Sequence, residues 1–260
     1  MQHLFTPDGE AALAAVMRLR PLVAFDFDGT LAPIVARPED ARISQAVGAR
    51  LRALAKRLPV AIITGRSVAD VRERLGFEPP YVIGNHGAED AGDAGDAAGM
   101  ARHSAALAAL RDALQRHAGA LAAAGVTVED KGLSIALHYR LSRERERAQA
   151  LIAELLAPVR ATLKVFGGKM VVNAMAADAP DKAHAVLSLV ERSGAAAAFF
   201  AGDDINDESV FSAAPPHWLT LRIGRDDPGS RARFGLDGPQ EMALLLDRIL
   251  ALLGADDGRR

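Results

Sequence analysis

The apolar run Leu22-Val23-Ala24-Phe25 breaks abruptly into Asp26-Phe27-Asp28-Gly29-Thr30. A short apolar stretch ending in polar residues and a glycine predicts a buried strand that runs into a loop. Downstream, Ile43, Val47, Leu51, Leu54 and Leu58 recur at spacings of four and three, which is the stripe of an amphipathic helix. Residues 60–63 predict a second buried strand, 67–75 a helix and 81–83 a third strand. Strands separated by helices imply right-handed βαβ units and a parallel sheet.

The character changes at residues 91–99, Ala-Gly-Asp-Ala-Gly-Asp-Ala-Ala-Gly. Small and acidic, with nothing to bury, this stretch reads as a linker or exposed loop. A long Ala/Leu-rich helix is predicted over about 101–124, followed by strands 126–129 and 133–140 around Asp130-Lys131-Gly132. A charged helix over about 142–157 comes next, and then strands 162–166 and 169–173 flanking Gly167-Gly168, a hairpin signal. The βαβ alternation then resumes with a helix near 181–193, a buried strand at 197–201, a short helix, a strand at 218–223 and a terminal helix near 239–253, leaving frayed ends at 255–260. The expected fold is α/β. A doubly wound, Rossmann-like parallel-sheet core (1–90 and 177–260) carries an inserted α+β domain (91–176).

Composition narrows the function. With 31 Lys+Arg against 33 Asp+Glu, nothing in the charge points to a nucleic-acid or membrane-surface partner. The absence of cysteine excludes disulfides, thiolate nucleophiles and cysteine-ligated zinc. Apolar runs fall short of the roughly 20 residues a membrane span needs. At the N-terminus, Asp8 and Glu10 precede the short apolar stretch 11–17, unlike a signal peptide. The expectation is a soluble, cytoplasmic, monomeric protein acting on a small molecule.

In open α/β sheets, ligands bind beyond the carboxyl ends of the strands, and four polar segments sit at such places. Asp26 and Asp28 lie two residues apart, so a tight turn at Gly29 would aim both at one centre. That suits covalent phosphoryl transfer, with one carboxylate attacking and the other handling the leaving group's proton. Thr64-Gly65-Arg66 ends the second strand, although Thr64 followed by Ser67 also reads as a helix cap. Lys182 opens a helix, and on its own it reads as a solvated helix residue. The loop Gly202-Asp203-Asp204-Ile205-Asn206-Asp207-Glu208 places four carboxylates within six residues after a buried strand. They repel one another, and a bound cation would offset that repulsion.

In their order, the aspartate pair, hydroxyl, lysine and acidic loop resemble the four motifs of the haloacid dehalogenase-like phosphotransferase superfamily. The resemblance implies that Asp26 is the nucleophile that becomes an aspartyl phosphate and that Asp28 is the general acid and base. It also implies that Thr64 and Lys182 hold the phosphoryl oxygens. Mg²⁺ would be bound by Asp26, Asp203 and the Asp28 backbone carbonyl, with Asp207 close behind. A hard divalent ion with oxygen ligands fits that set.

Within the superfamily, the chain resembles the trehalose-6-phosphate phosphatases from Leu22 to about Leu253. The resemblance is carried by Asp26 to Ile34, Thr64-Gly65-Arg66, Gly84-Asn85-His86-Gly87, the acidic loop, and Glu129-Asp130-Lys131-Gly132 with Leu137-His138-Tyr139-Arg140. It implies Mg²⁺-dependent hydrolysis of trehalose 6-phosphate to trehalose and phosphate. Gly29, Gly65, Arg66, Asn85 and His86 would line the substrate. Glu129, Lys131, Arg140 and Asn173, on a cap domain, would face the sugar. Read alone, the cap residues are ordinary exposed sheet residues and His86 a loop residue. Asn173 stands where the family usually has glutamate, Asn206 where it has threonine and Ala183 where it has glycine. These departures leave two alternatives open. One is a phosphatase for another phosphorylated glycoside, of the mannosyl-3-phosphoglycerate or sucrose 6-phosphate type; the other is a catalytically silent sugar-phosphate sensor.

Overall fold

The computed structural model describes residues 1–35, 37–92, 97–225 and 227–257. The chain forms two compact units, Met1–Gly92 with Asp181–Arg260, and Asp93–Pro180. The first unit opens with β1 (Gln2–His3), α1 (Pro7–Arg18), β2 (Leu22–Phe25), α2 (Gln45–Ala55), β3 (Val60–Ile63), α3 (Val68–Leu75), β4 (Tyr81–Gly84) and β5 (Glu89–Asp90). The insert contains α4 (Ala97–Ala106), α5 (Ala108–Arg116), α6 (Ala118–Ala123), β6 (Thr127–Asp130), β7 (Ser134–His138), α7 (Arg145–Leu156), β8 (Leu163–Gly168) and β9 (Val171–Ala176). The first unit then resumes with α8 (Lys182–Ser193), β10 (Ala198–Gly202), α9 (Glu208–Ala213), β11 (Leu219–Ile223), β12 (Phe234–Leu236) and α10 (Met242–Asp257).

The eight strands of the first unit run in the order β1-β12-β11-β10-β2-β3-β4-β5. All neighbours are parallel except β4 and β5. Every residue of β2, β3, β10 and β11 is buried, as expected of central strands covered on both faces. One group of helices is α1, α2 and α10, packed on one another, and another pairs α8 with α9. The doubly wound α/β core is the expected one. Among the described residues, no helix is long and apolar enough to cross a membrane.

The insert is an antiparallel sheet, β6-β7-β9-β8. One face of it presents Ile135, Leu137, Ala174 and Leu163 to Leu107, Leu110, Leu114, Leu121, Ile152, Leu155 and Leu156 of the helices. Alternation along the strands puts a different residue set on the opposite face.

Several local expectations need correction. The β8–β9 turn is Lys169-Met170, because Gly168 pairs with Val171 and both glycines continue the strand. That register brings Leu163 and Val165 opposite the buried Ala176 and Ala174 and extends the ladder, outweighing the local glycine signal. Met170 takes φ 64°, and its carbonyl accepts the Tyr139 N–H at 3.1 Å. The single helix expected over 101–124 is three, jointed at Leu107 and His117. Side chains compete for helix carbonyls at both joints: Arg111 reaches Ser104 O at 2.6 Å and the His117 ring reaches Ala113 O at 2.8 Å. The stretch expected as a linker already enters α4 at Ala97, and residues 93–96 lie outside the described ones. The terminal helix runs on to Asp257, and the expected frayed residues 258–260 lie outside the described ones. Strands β1, β5 and β12 were not legible locally, being two or three residues long. Helix α1 carried a readable start that the pattern reading passed over, with Thr6 Oγ1 accepting the Gly9 N–H and Pro7 in the first turn.

Candidate active site

From β2 the chain winds outward through β3 and β4, and from β10 it winds the other way through β11 and β12. The reversal makes β2 and β10 the topological switch point, where open α/β sheets form their binding crevice. Asp26 follows β2, Asp203 follows β10, Thr64 follows the neighbouring β3 and Lys182 begins α8. Residues separated by up to 177 positions are thereby brought together.

The turn after β2 is built by backbone bonds, with Thr30 donating to Phe27 O at 3.4 Å. Leu31 and Ala32 donate to Phe27 O at 3.0 and 2.9 Å, and Gly29 donates to Ala32 O at 2.8 Å. Gly29 has φ 77°, and a Cβ there would fall inside the Asp203 carboxylate. Glycine is therefore needed at this position both for its backbone conformation and to let Asp203 approach. Thr30 Oγ1 lies 3.4 Å from Asp203 Oδ1.

Asp26, Lys182, Asp203 and Asp207 are all buried. Lys182 Nζ lies 3.0 Å from Asp26 Oδ2 and donates to Asp207 Oδ1 at 2.7 Å. Asp26 Oδ1 accepts the Phe27 N–H at 2.6 Å. Asp207 Oδ2 accepts the N–H groups of Asp203 and Asp204, each at 3.0 Å, closing a capping box with Asp204. Burial pushes the Asp26 carboxyl well above the usual carboxylate range; Lys182 pulls it down, and Asp207 and Asp203 push it up again. Burial works against the charge on Lys182, yet Asp207 and Asp26 together hold its pKa above the ordinary lysine value.

One carboxylate oxygen from each of Asp26, Asp203 and Asp207 lies within 4.8 Å of the others. Three buried hard donors beside a single ammonium leave negative charge uncompensated, and a divalent cation would neutralise it. The donor set therefore fits Mg²⁺. Asp207 Oδ2 already accepts two N–H groups and its Oδ1 the lysine, which leaves that carboxylate fewer lone pairs for a cation than Asp26, whose oxygens meet the Phe27 N–H and the lysine.

Asp28 is held by a different cation. Its two oxygens accept from Arg66 Nε and Nη2 at 2.7 and 2.8 Å. Arg66 also donates to Asp70 at 2.7 Å and to Pro38 O at 2.8 Å. Arg74 in turn grips Asp70 through two bonds. Arg66 and Arg74 draw the Asp70 carboxyl down to about 2 against the upward effect of burial. Thr64 is buried; its Oγ1 accepts the Arg66 N–H at 3.2 Å, and its carbonyl accepts the His86 N–H at 2.9 Å. Asn85 and His86 are buried consecutive left-handed residues, φ 48° and 59°. Asn85 Nδ2 donates to Glu89 at 2.7 Å. The His86 ring lies over Gly65, where a Cβ would collide with it, and a Cβ on Gly87 would collide with the Asp181 backbone that precedes Lys182.

In the insert, strand register sets the arrangement. Glu129, Ala136, Asn173 and Phe166 stand directly opposite one another across all four strands. They therefore share the face turned away from the insert's apolar core. Glu129 Oε2 meets His138 Nε2 at 2.9 Å and Lys131 Nζ at 3.8 Å. Asn173 is buried, and Arg140 donates to Lys169 O at 3.1 Å. Sequence reasoning did not single out His138 and Phe166 on this face. Period-two alternation from Glu129 and Asn173 would have found them once the pairing was known.

The sequence profile described as Trehalose-phosphatase matches residues 24–225. The chain belongs to the trehalose-phosphatase family. It is 32% identical over 257 residues to the trehalose-phosphate phosphatase of Mycobacterium tuberculosis, covering 94% of this chain and 65% of that protein. The chain thus spans about two thirds of the length of that relative. The Mycobacterium avium trehalose-phosphate phosphatase is 34% identical over 273 residues, covering 97% of this chain and 68% of that one. Among solved structures, the C-terminal domain of the Candida albicans trehalose-6-phosphate phosphatase superposes with a TM-score of 0.72 at 19% identity, covering 94% and 96% of the two chains. That likeness bears on the fold alone, an α/β core with an inserted domain.

The three departures from the usual family pattern can be placed. Ala183 leaves the start of α8 intact, since Asp181 Oδ1 still accepts the His184 N–H at 3.1 Å. Asn206 lies in the short turn Ile205–Asp207, where its carbonyl accepts Ser209 Oγ at 3.1 Å. Asn173 sits mid-strand on the polar face of the insert, between Ala136 and Phe166.

Proposed function

We propose that the protein is a Mg²⁺-dependent phosphatase that hydrolyses trehalose 6-phosphate through an aspartyl-phosphate intermediate. The observation that carries this reading is the buried cluster at the switch point, in which Lys182 bridges Asp26 and Asp207 with Asp203 alongside. Asp26 Oδ attacks phosphorus as the bond to the sugar oxygen breaks. Asp28 gives that oxygen its proton, then takes one from the water that hydrolyses the acyl phosphate. Lys182 draws the raised Asp26 carboxyl back towards its ionised form and, with Thr64, holds phosphoryl oxygens. Bound Mg²⁺ supplies the positive charge that lets a dianionic phosphate approach the carboxylates.

Glu129, Lys131, Arg140 and Asn173, joined by His138, offer the charged and amide groups that sugar hydroxyls need, and Phe166 offers an apolar surface for a sugar ring. Family membership supports trehalose 6-phosphate as the substrate. A neutral amide at position 173 favours a second reading, another phosphorylated glycoside, because it replaces a charge-assisted hydrogen bond contributing about 1.5–3 kcal/mol. Balanced charge supports a small-molecule substrate over a nucleic-acid or membrane-surface partner, and the enzyme is read as a cytoplasmic monomer.

The test is phosphate release from a panel of sugar phosphates, with Mg²⁺ and with a chelator. Preferential, Mg²⁺-dependent release from trehalose 6-phosphate is expected. Activity on a different glycoside phosphate alone would favour the second reading, and inactivity on the whole panel would favour a sensor.

A further inference from the structure

We propose that Arg66 is a positioning residue for Asp28, fixing where that carboxyl group stands for proton transfer, and does not grip the substrate phosphate. This rests on the phosphatase reading above and changes the role that the family resemblance implies for Arg66. The guanidinium fork engages both Asp28 oxygens, at 2.7 and 2.8 Å. The holder is far more enclosed than the group it holds: the Arg66 side chain is 9% exposed and that of Asp28 42%. A carboxylate this open to solvent is not oriented by its own burial, so the fork supplies the orientation.

Arg66 is itself braced. Nη1 donates to Asp70 at 2.7 Å, Nη2 also donates to Pro38 O at 2.8 Å, and the guanidinium lies 5.4 Å from the centre of the Phe27 ring. Asp70 is gripped by Arg74, which also donates to Glu39 O. The chain Asp28–Arg66–Asp70–Arg74 thus ties the loop after β2 to α3 and to the turn at Pro38–Asp40. Four bonds to protein groups occupy four of the five N–H donors that an arginine has, which leaves little with which to bind phosphate. A planar fork also fixes a carboxylate's plane, which an ammonium would not do.

In the reaction, the Asp26–phosphorus bond forms, the phosphorus–sugar oxygen bond breaks, and the electron pair stays on that oxygen while the Asp28 proton moves to it. One Asp28 oxygen must leave the fork to carry the proton, and the other keeps the group in place. A leaving group that departs without a proton gains nothing from this arrangement.

The experiment compares single-turnover leaving-group release from trehalose 6-phosphate and from 4-nitrophenyl phosphate. Arg66→Met keeps the apolar stem against Phe27 and deletes the fork. It should slow release of the sugar on the order of 10²-fold, the scale of general acid catalysis, and release of nitrophenolate less than about 5-fold. In an Asp28→Asn background, Arg66→Met should add less than about 3-fold on either ester, because both changes remove one function. Asp70→Asn, which loosens the fork from behind, should show the same selectivity at smaller size, and it replaces Arg66→Met if melting curves show that variant unfolded. Equal losses on both esters, multiplicative losses in the Asp28→Asn background, or weakened inhibition by inorganic phosphate would make Arg66 a phosphate ligand and overturn the assignment. A wild type that cleaves neither ester would overturn the phosphatase reading and this assignment with it. A wild type active on both, with uniform loss in the variants, overturns the assignment alone.

Discussion

The first unit and the insert use polar side chains in opposite ways. At the switch point Lys182, held by Asp26 and Asp207, and Asp207, held also by the loop backbone, are buried, while the part-exposed Asp28 is held by Arg66. On the insert, Glu129, His138 and Lys131 stand on one face of an antiparallel sheet, aligned by strand register. The first arrangement demands convergence of distant segments. The second demands only a register, so single residues on it can change while the sheet persists.

The sharpest way to break this contrast is Asp26→Asn. Loss of a nucleophile typically costs on the order of 10⁴- to 10⁶-fold, and here sugar and aryl phosphates should be affected alike in steady-state assays. A variant retaining more than a hundredth of wild-type activity would remove Asp26 from the centre of the site.

Lys182→Ala comes next. Removing one partner of a buried ion pair costs about 3–5 kcal/mol, so a large drop in the urea midpoint is expected alongside loss of turnover. Restabilisation of this variant by added Mg²⁺ would sharpen the case that the three carboxylates form a cation site.

A smaller and more selective effect is expected from Lys131→Ala. KM for the preferred sugar phosphate should rise about 10-fold, the loss of roughly one charge-assisted hydrogen bond, with 4-nitrophenyl phosphate unaffected. Equal loss on both would mean that the insert's polar face does not read the sugar.

The smallest effect concerns acid stability. The Asp70 carboxyl is held down at about 2, below its unfolded value of about 3.9. Its contribution is therefore fully present above about pH 4 and lost as pH falls towards 2. Wild type should exceed Asp70→Asn by about 1 kcal/mol at pH 6, a figure reduced for partial solvent exposure. The gap between the urea midpoints of the two proteins should shrink to about a third of its pH 6 size by pH 2.5, and a gap that does not shrink would mean that the Arg66–Asp70–Arg74 network acts through packing instead.

Much of this organisation was legible from residue order. Apolar runs of four or five residues sufficed for β2, β3 and β10 because strands buried on both faces read as near-continuous apolar stretches; β11 was legible although it carries the buried Thr220 and Arg222. The position of Asp26, Lys182 and Asp203 at element ends followed from the same runs. The segmented helix at 97–123 was not legible, since its breaks depend on Arg111 and His117 reaching particular carbonyls. Strands β1 and β12 exist by pairing with each other and with β11, and two or three residues carry no periodicity of their own.

The sequence alone determined the alternation of strands and helices, the insertion between them and the place of the candidate groups Asp26, Lys182 and Asp203 at element ends, because these follow from burial preference and local spacing. Tertiary structure alone decided that Arg66 turns to Asp28 and that Asp207 braces Lys182 and its own loop. It also decided that Asn173 shares a row with Glu129. Each of these depends on which distant groups meet, and side-chain charge and strand register settle that only after the chain has closed on itself.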